Sequence, residues 1–217
     1  GATLVLEGAD VWPDTQRFFD AIPSLAALWW IPEKKRRRLM QQRGGSNAIG
    51  ASFVQVNAPV AARMHDYVLS LVLAREPESV IDGYSGAGEL ALALAARGVR
   101  VSAIELDSDA SPHAAVRLPE GSRAISAKVE EVLSSLLPAD VVVLNPPRTG
   151  VDGRVTEQLE ECDPAPRAIV YVSCNPATLA RDLARLPRYR IASLRAYDMF
   201  PQTAHVETVC ELVPVPA

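Results

Sequence analysis

Cysteine is scarce in this chain. It occurs at positions 162, 174 and 210 only, and no two cysteines form a Cys-x-x-Cys pair. A disulfide framework is therefore not expected, and neither is a zinc or iron–sulfur site built from cysteines; no metal ligand set is expected at all. Dispersed, unpaired thiols fit a reducing compartment, so a cytoplasmic setting is expected. No apolar run reaches the roughly 18 residues of a membrane-spanning helix, and no signal-peptide pattern marks the start. Neither sign of charge dominates. A net charge of −4 does not by itself announce a nucleic-acid partner. The dinucleotide fingerprint Gly-x-Gly-x-x-Gly is missing, as are internal repeats and low-complexity tracts.

What is present is enough apolar material, 48% of 217 residues, for one sizeable core with a smaller piece beside it. Residues 1–50 read as irregular, with a helix starting at Asp14 or Thr15 and a basic run, KKRRR, at 34–38. The ordinary reading of such a run is a solvated face. A Gly- and Ser-containing stretch at 43–52 reads as a link. Residues 51–76 read as a connector. In it Asn57 caps a helix that carries Pro59 in its first turn. From residue 77 onward, short apolar strands alternate with helices: SVIDGY, VRVSAIEL, RAISA, DVVVLNPP and RAIVYVSC are the strands. Continuously apolar strands separated by helices predict an α/β fold with a parallel sheet covered on both faces. YRIASLRAY and HVETVCELVPV close the chain with no helix between them, which predicts an antiparallel hairpin at the sheet edge.

Candidate chemistry gathers where these strands end. DGYSGAG, residues 82–88, lies between the first strand and its helix. Glycines there let a ligand approach the backbone, and a carboxylate at the next strand's tip, Glu105, suits a ribose diol. The pair fits an S-adenosylmethionine enzyme or a nucleotide binder, and the missing Gly-x-Gly-x-x-Gly favours the former. NPPRTG, residues 145–150, ends the fourth strand with two prolines that fix the backbone. Its plain reading is a rigid strand exit; its functional reading puts Asn145 beside a methyl donor and Arg148 toward a target. Cys174 follows an apolar strand. Such a cysteine is ordinarily packing, the reading kept here for Cys162 and Cys210. Cys174 differs in lying on a loop at the carboxyl edge, ahead of a helix whose amino terminus would lower its pKa. Glu207, at the start of the last strand, reads by default as a solvated strand end.

Taken together, FVQVN (53–57), DGYSGAG, NPPRTG, IVYVSCNPATLARDL (169–183) and DMFPQTAHVE (198–207) resemble the signatures of the RNA uracil-5-methyltransferase family, in the family's order. The resemblance spans about residues 53–213. It implies a class I methyltransferase sheet, Rossmann-like, of order 3-2-1-4-5-7-6 with strand 7 antiparallel, preceded by a short N-terminal extension. It implies S-adenosylmethionine as cofactor and transfer or ribosomal RNA as partner, with a monomer expected. Carried over by position, it makes Cys174 the nucleophile and Glu207 the base. Gln55, Asp82, Tyr84, Gly86, Glu105 and Asn145 fall on the cofactor side, and Arg148 on the substrate side. Against the family's usual pattern, Asn145 stands for Asp, Ser85 for Cys, and Glu89 and Lys128 for Asn. The family's usual N-terminal RNA-binding domain has no counterpart in these residues, but residues 1–50 resemble part of the family's central domain. The resemblance puts the basic stretch Lys34 to Arg43 where the family has RNA-facing elements, so contacts to RNA phosphates are expected there. Two other readings stay open: an exocyclic-amine methyltransferase using NPPR, and a non-catalytic binding module of the same fold.

Overall fold

The computed structural model describes residues 2–8, 11–12, 14–32, 38–43, 57–107, 110–199, 201–203 and 206–216. The chain divides into two compact units, Gly1–Val54 and Gln55–Ala217.

The first unit corrects the expectation of an irregular start. It holds a three-stranded sheet of order β1-β2-β3, formed by β1 (Ala2–Glu7), β2 (Leu25–Ile31) and β3 (Arg38–Gln42). Strands β1 and β2 are parallel, and β3 returns antiparallel to β2. Helix α1 (Thr15–Asp20) forms the crossover, and Asp14 caps it by accepting from the Arg17 amide at 3.2 Å. The strand signal was the apolar run LAALWWI, which a hydrophobic-run reading would have found. Phe19, Leu25 and Leu28 form its small core. Arg43 is committed here. Its guanidinium donates to the carbonyls of Phe19 at 2.7 Å and Ile22 at 2.9 Å, and lies 4.4 Å from the Phe19 ring centroid. Both carbonyls also accept backbone amides, from Ile22 and Leu25, so Arg43 adds a charged donor to a turn that is already bonded. Arg43 is thus not a free RNA-facing cation, and residues 33–37 of the basic run lie outside the described residues.

The second unit opens with α2 (Ala58–Leu73), capped as expected by the Asn57 side chain on the Val60 amide. Seven strands follow: β4 (Ser79–Gly83), β5 (Arg100–Glu105), β6 (Arg123–Ser126), β7 (Val141–Leu144), β8 (Ala168–Ser173), β9 (Tyr189–Tyr197) and β10 (Glu207–Pro214). Their order, β6-β5-β4-β7-β8-β10-β9, is the expected 3-2-1-4-5-7-6, and β10 runs antiparallel to both neighbours. Between them lie α3 (Glu89–Ala95), α4 (Ala110–Ala115), α5 (Val129–Leu136), α6 (Gly153–Glu161) and α7 (Pro176–Leu183).

The two-residue period of a strand explains the unbroken apolar runs. Val141 and Val143 point into one core with Met64, Val68 and Leu94 of α2 and α3. Val142 and Leu144 point into the other, with Leu133, Leu159 and Leu179 of α5, α6 and α7. Every residue of β7 and β8 is buried, as a strand covered on both faces requires. Cys210 is fully buried in the second core, and the Cys162 thiol donates to the Pro164 carbonyl at 3.2 Å. Strand β9 is the sheet edge and is mostly exposed. Among the described residues, no helix is long and apolar enough to cross a membrane.

Arg43→Ala is expected to loosen α1, because several carbonyls lose a charged donor. The cost is about 2 kcal/mol, read as faster amide exchange in residues 15–21 without change in β4–β8.

Candidate active site

The carboxyl edge of the parallel strands gathers the candidate residues. Strand β4 ends in the glycine turn. Asp82, near the strand's end, is 3% exposed, and its Oδ2 is enclosed without a hydrogen-bond partner. Burial, with Glu105 as a lesser contributor, pushes its carboxyl up to about 7, against a bond from the Ala91 amide. Tyr84 holds a left-handed backbone at φ +63°, and burial pushes its phenol up. Gly86 and Gly88 also have positive φ, for different ends. A Cβ at Gly88 would meet the Ala114 Cβ at 2.7 Å, whereas one at Gly86 would meet nothing within 4 Å. The space over Gly86 is thus open. The Glu105 carboxylate closes the turn: Oε2 accepts from the Gly86 amide at 2.8 Å and Oε1 from the Asp107 amide at 2.7 Å. Each oxygen retains a further lone pair, so Glu105 both shapes the turn and can still accept from a ligand.

Strand β7 ends beside this turn. The Asn145 amide donates to the Gly83 carbonyl at 3.2 Å, and Asn145 is exposed. The loop beyond it is clamped to α7 by a buried carboxylate that sequence reading did not single out. Asp182 is fully buried. Its Oδ2 accepts from the Tyr171 hydroxyl at 2.7 Å and from the Val151 amide at 2.9 Å. Its Oδ1 accepts from Arg181 Nε at 2.9 Å, and Arg181 also donates to the Thr149 carbonyl at 2.8 Å. Gly150, at φ +76°, is required there, because a Cβ would collide with Asp182 Oδ2. The signal was a charged residue on the apolar side of PATLARDL, beside Leu179.

Cys174 follows β8 and precedes Asn175, the cap of α7. The Ser173 hydroxyl bridges the Asn175 amide and carbonyl at 3.1 and 3.0 Å, fixing the chain on either side of the cysteine. Strand register then supplies the neighbour. Thr208 of β10 pairs with Ser173 of β8, so the next antiparallel step sets Glu207 opposite Cys174. Glu207 is 4% exposed, and burial pushes its carboxyl up. The Cys174 thiol is also pushed up, by burial and then by Glu207, whereas the positive charge of the Arg148 guanidinium acts against both shifts. This corrects the expectation of a thiol depressed by the helix. The α7 amides of Ala177 and Thr178 are taken by the Asn175 side chain, so desolvation and the facing carboxylate dominate. Cys174, Glu207 and Arg148 are thus brought together. Gln55 lies outside the described residues.

A sequence profile of the tRNA (uracil-5-)-methyltransferases matches residues 120–213, which contain the NPPRTG loop, Cys174 and Glu207. Curated relatives include the 23S rRNA (uracil(747)-C(5))-methyltransferase RlmC of Vibrio vulnificus, 36% identical over 167 residues, covering 75% of this chain and 44% of that protein. An uncharacterized RNA methyltransferase of Enterococcus faecalis is 39% identical over 168 residues, covering 73% of this chain and 36% of its own length. Among solved structures, the Pyrococcus abyssi tRNA (uracil-54, C5)-methyltransferase, in complex with S-adenosyl-L-homocysteine, superposes with a TM-score of 0.74 at 29% identity. That match covers 97% of this chain and 56% of the other.

The chain belongs to the RNA uracil-5-methyltransferase family.

It spans about two fifths of the length of the curated relatives it matches, 36% and 44% in the two cases above. Within this member of the family, two of the buried carboxylates carry opposite burdens. Asp182 is surrounded by donors. Asp82 has an oxygen with none.

Two outcomes follow from that contrast. Asp182→Ala leaves the Tyr171 hydroxyl and the Val151 amide unpaired, at a cost of about 3–5 kcal/mol. The fall in thermal midpoint should exceed that of Asp182→Asn, which keeps an acceptor. For Asp82 the folded value lies above the ordinary 3.8. Stability is therefore full below about pH 4, where both states are protonated, and falls as pH rises toward 7 because the unfolded state ionises first. Asp82→Asn should flatten that stretch of the stability–pH curve, by at most about 4 kcal/mol between its ends, measured by denaturant titration at each pH.

Proposed function

We propose that this chain methylates C5 of a uridine in transfer or ribosomal RNA, taking the methyl group from S-adenosylmethionine and holding the base covalently through Cys174. The observation that carries the proposal is the β8–β10 register, which sets a buried carboxylate opposite a thiol at the carboxyl edge of the sheet. Residues 77–217 form the methyltransferase part, joined through α2 to the preceding segment. The three cysteines that carry no disulfide support a cytosolic setting.

The cofactor side fits S-adenosylmethionine. The open space over Gly86 admits the ligand, and the unpartnered Asp82 oxygen suits a cation. Glu105 accepts from the ribose hydroxyls, with Gln55, Tyr84 and Asn145 completing the contacts. When bound, the cofactor supplies an electrophilic methyl group on a sulfonium.

C5 of uracil is a weak nucleophile. The Cys174 thiolate adds to C6, forming the S–C6 bond and pushing electrons onto the C4 oxygen as an enolate, which makes C5 nucleophilic. Arg148 favours the thiolate through its charge. Once C5 carries both a methyl group and its original proton, the Glu207 carboxylate removes the proton. The electrons return through C5–C6, the S–C6 bond breaks, and the thiolate is regenerated. A carboxylate pushed up by burial is a stronger base than a solvated one, which suits this step. The target base must leave its stack to reach this edge. An exocyclic-amine methyltransferase would leave the Cys174–Glu207 pair without a task.

The first test is transfer of labelled methyl groups to bulk RNA, with the nucleoside identified by mass spectrometry; 5-methyluridine is expected. RNA bearing 5-fluorouridine at the target should trap the protein, because fluorine cannot leave C5 as a cation. The trapped peptide should contain Cys174. Cys174→Ser should form no adduct, whereas Glu207→Gln should accumulate one with ordinary RNA. Near-normal methylation by Cys174→Ser would exclude covalent catalysis through this residue.

A further inference from the structure

A groove of about 430 Å³ lies between α2 and β9, outside the site described above. One wall is a helical stripe at i, i+3, i+4 and i+7: Arg63, Asp66, Tyr67 and Ser70. The other is one face of β9, where Arg195 and Tyr197 alternate. Neither arginine has a carboxylate partner among the described residues. The Arg195 guanidinium instead stacks 3.9 Å from the Tyr67 ring centroid, and the Tyr67 hydroxyl donates to Ser193 Oγ at 3.1 Å. The Tyr197 hydroxyl is enclosed and has no hydrogen-bond partner in the structure.

Position gives the groove its meaning. Tyr197 pairs directly with Glu207 across β9 and β10. The groove therefore begins one strand away from the carboxylate opposite Cys174. A base drawn into that edge leaves its neighbouring nucleotides on the adjoining surface, where these side chains lie.

We propose that the α2–β9 groove binds the single-stranded RNA flanking the target uridine. This rests on the reading of the chain as an RNA methyltransferase. Arg63 and Arg195 engage phosphate oxygens through their planar forks. Arg195, already stacked on Tyr67 and exposed, offers its plane to a base. The Asp66 carboxylate would repel a phosphate but accepts from a 2′-hydroxyl, and the exposed Ser70 hydroxyl adds a polar contact. That combination favours RNA over DNA.

The test compares wild type with the Arg63→Ala/Arg195→Ala double variant in methylation of bulk transfer and ribosomal RNA across a salt series. Both side chains are exposed, and unchanged thermal unfolding checks that the variant is folded. The KM for RNA should rise roughly 10-fold or more at low salt, with kcat and the affinity for S-adenosylhomocysteine, read by calorimetry, little changed. The log–log salt dependence should flatten by about 1.4, near 0.7 for each single-strand phosphate that is no longer neutralised. An unchanged KM and slope in the double variant would overturn the groove while leaving the reading intact, provided wild type makes 5-methyluridine. Absence of 5-methyluridine with wild type would overturn the reading, and the groove with it.

Discussion

The buried carboxylate of Asp182 is the constraint on which the reactive edge depends. It has no exposure to water, yet it is surrounded by donors from three parts of the chain: the Tyr171 hydroxyl on β8, the Val151 amide beyond the NPPRTG loop, and Arg181 beside it. Burying a charge costs several kcal/mol, so such a group persists only where the fold supplies its partners. Here those partners tie the loop carrying Arg148 to the helix that follows Cys174. Gly150 completes the arrangement by letting the loop pass where a side chain would collide.

The glycine turn shows the same logic in a looser form. Glu105 holds the Gly86 and Asp107 amides, so the tip of β5 shapes the turn after β4. Asp82, on the neighbouring strand, is left with an unsatisfied oxygen and a carboxyl pushed up to about 7. A saturated clamp on one side of the edge and an unsatisfied carboxylate on the other divide the work. The first fixes geometry, and the second is where a cationic ligand would relieve an electrostatic cost.

The thiol is not preactivated. Burial and Glu207 both hold Cys174 toward its protonated form, and Arg148 opposes them. On the proposed mechanism, an arrangement of this kind keeps the nucleophile quiet until substrate alters the balance, and it gives Arg148 a role at the thiol as well as toward the substrate. Pairing of a thiol with a carboxylate would be counterproductive if the carboxylate only had to activate the thiol. The proposed mechanism gives the carboxylate a separate proton to remove, and the pairing is then consistent.

Much of this was legible in the sequence. Uninterrupted apolar runs in β7 and β8 could only be strands covered on both faces, and their alternation with helices fixed a parallel sheet. Asn57, Asp14 and the closing hairpin were readable from local chemistry, because caps and turns depend on residues a few positions apart. The resemblance supplied the strand order and the candidate residues. The three-stranded sheet of the first unit went unread because its signal, the run LAALWWI, lacked the flanking pattern found later in the chain. Other features depend on distant contacts. The opposition of Glu207 to Cys174 comes from the β8–β10 register. The direction of the thiol's shift comes from burial and from which donors Asn175 consumes. The commitment of Arg43 to α1 carbonyls, and of Asp182 to the NPPRTG loop, comes from chain segments meeting in space. Sequence determines which groups exist and what local structure they prefer; only the tertiary fold decides which of them share a dielectric, and so which charges are paired, which are stranded and which can react.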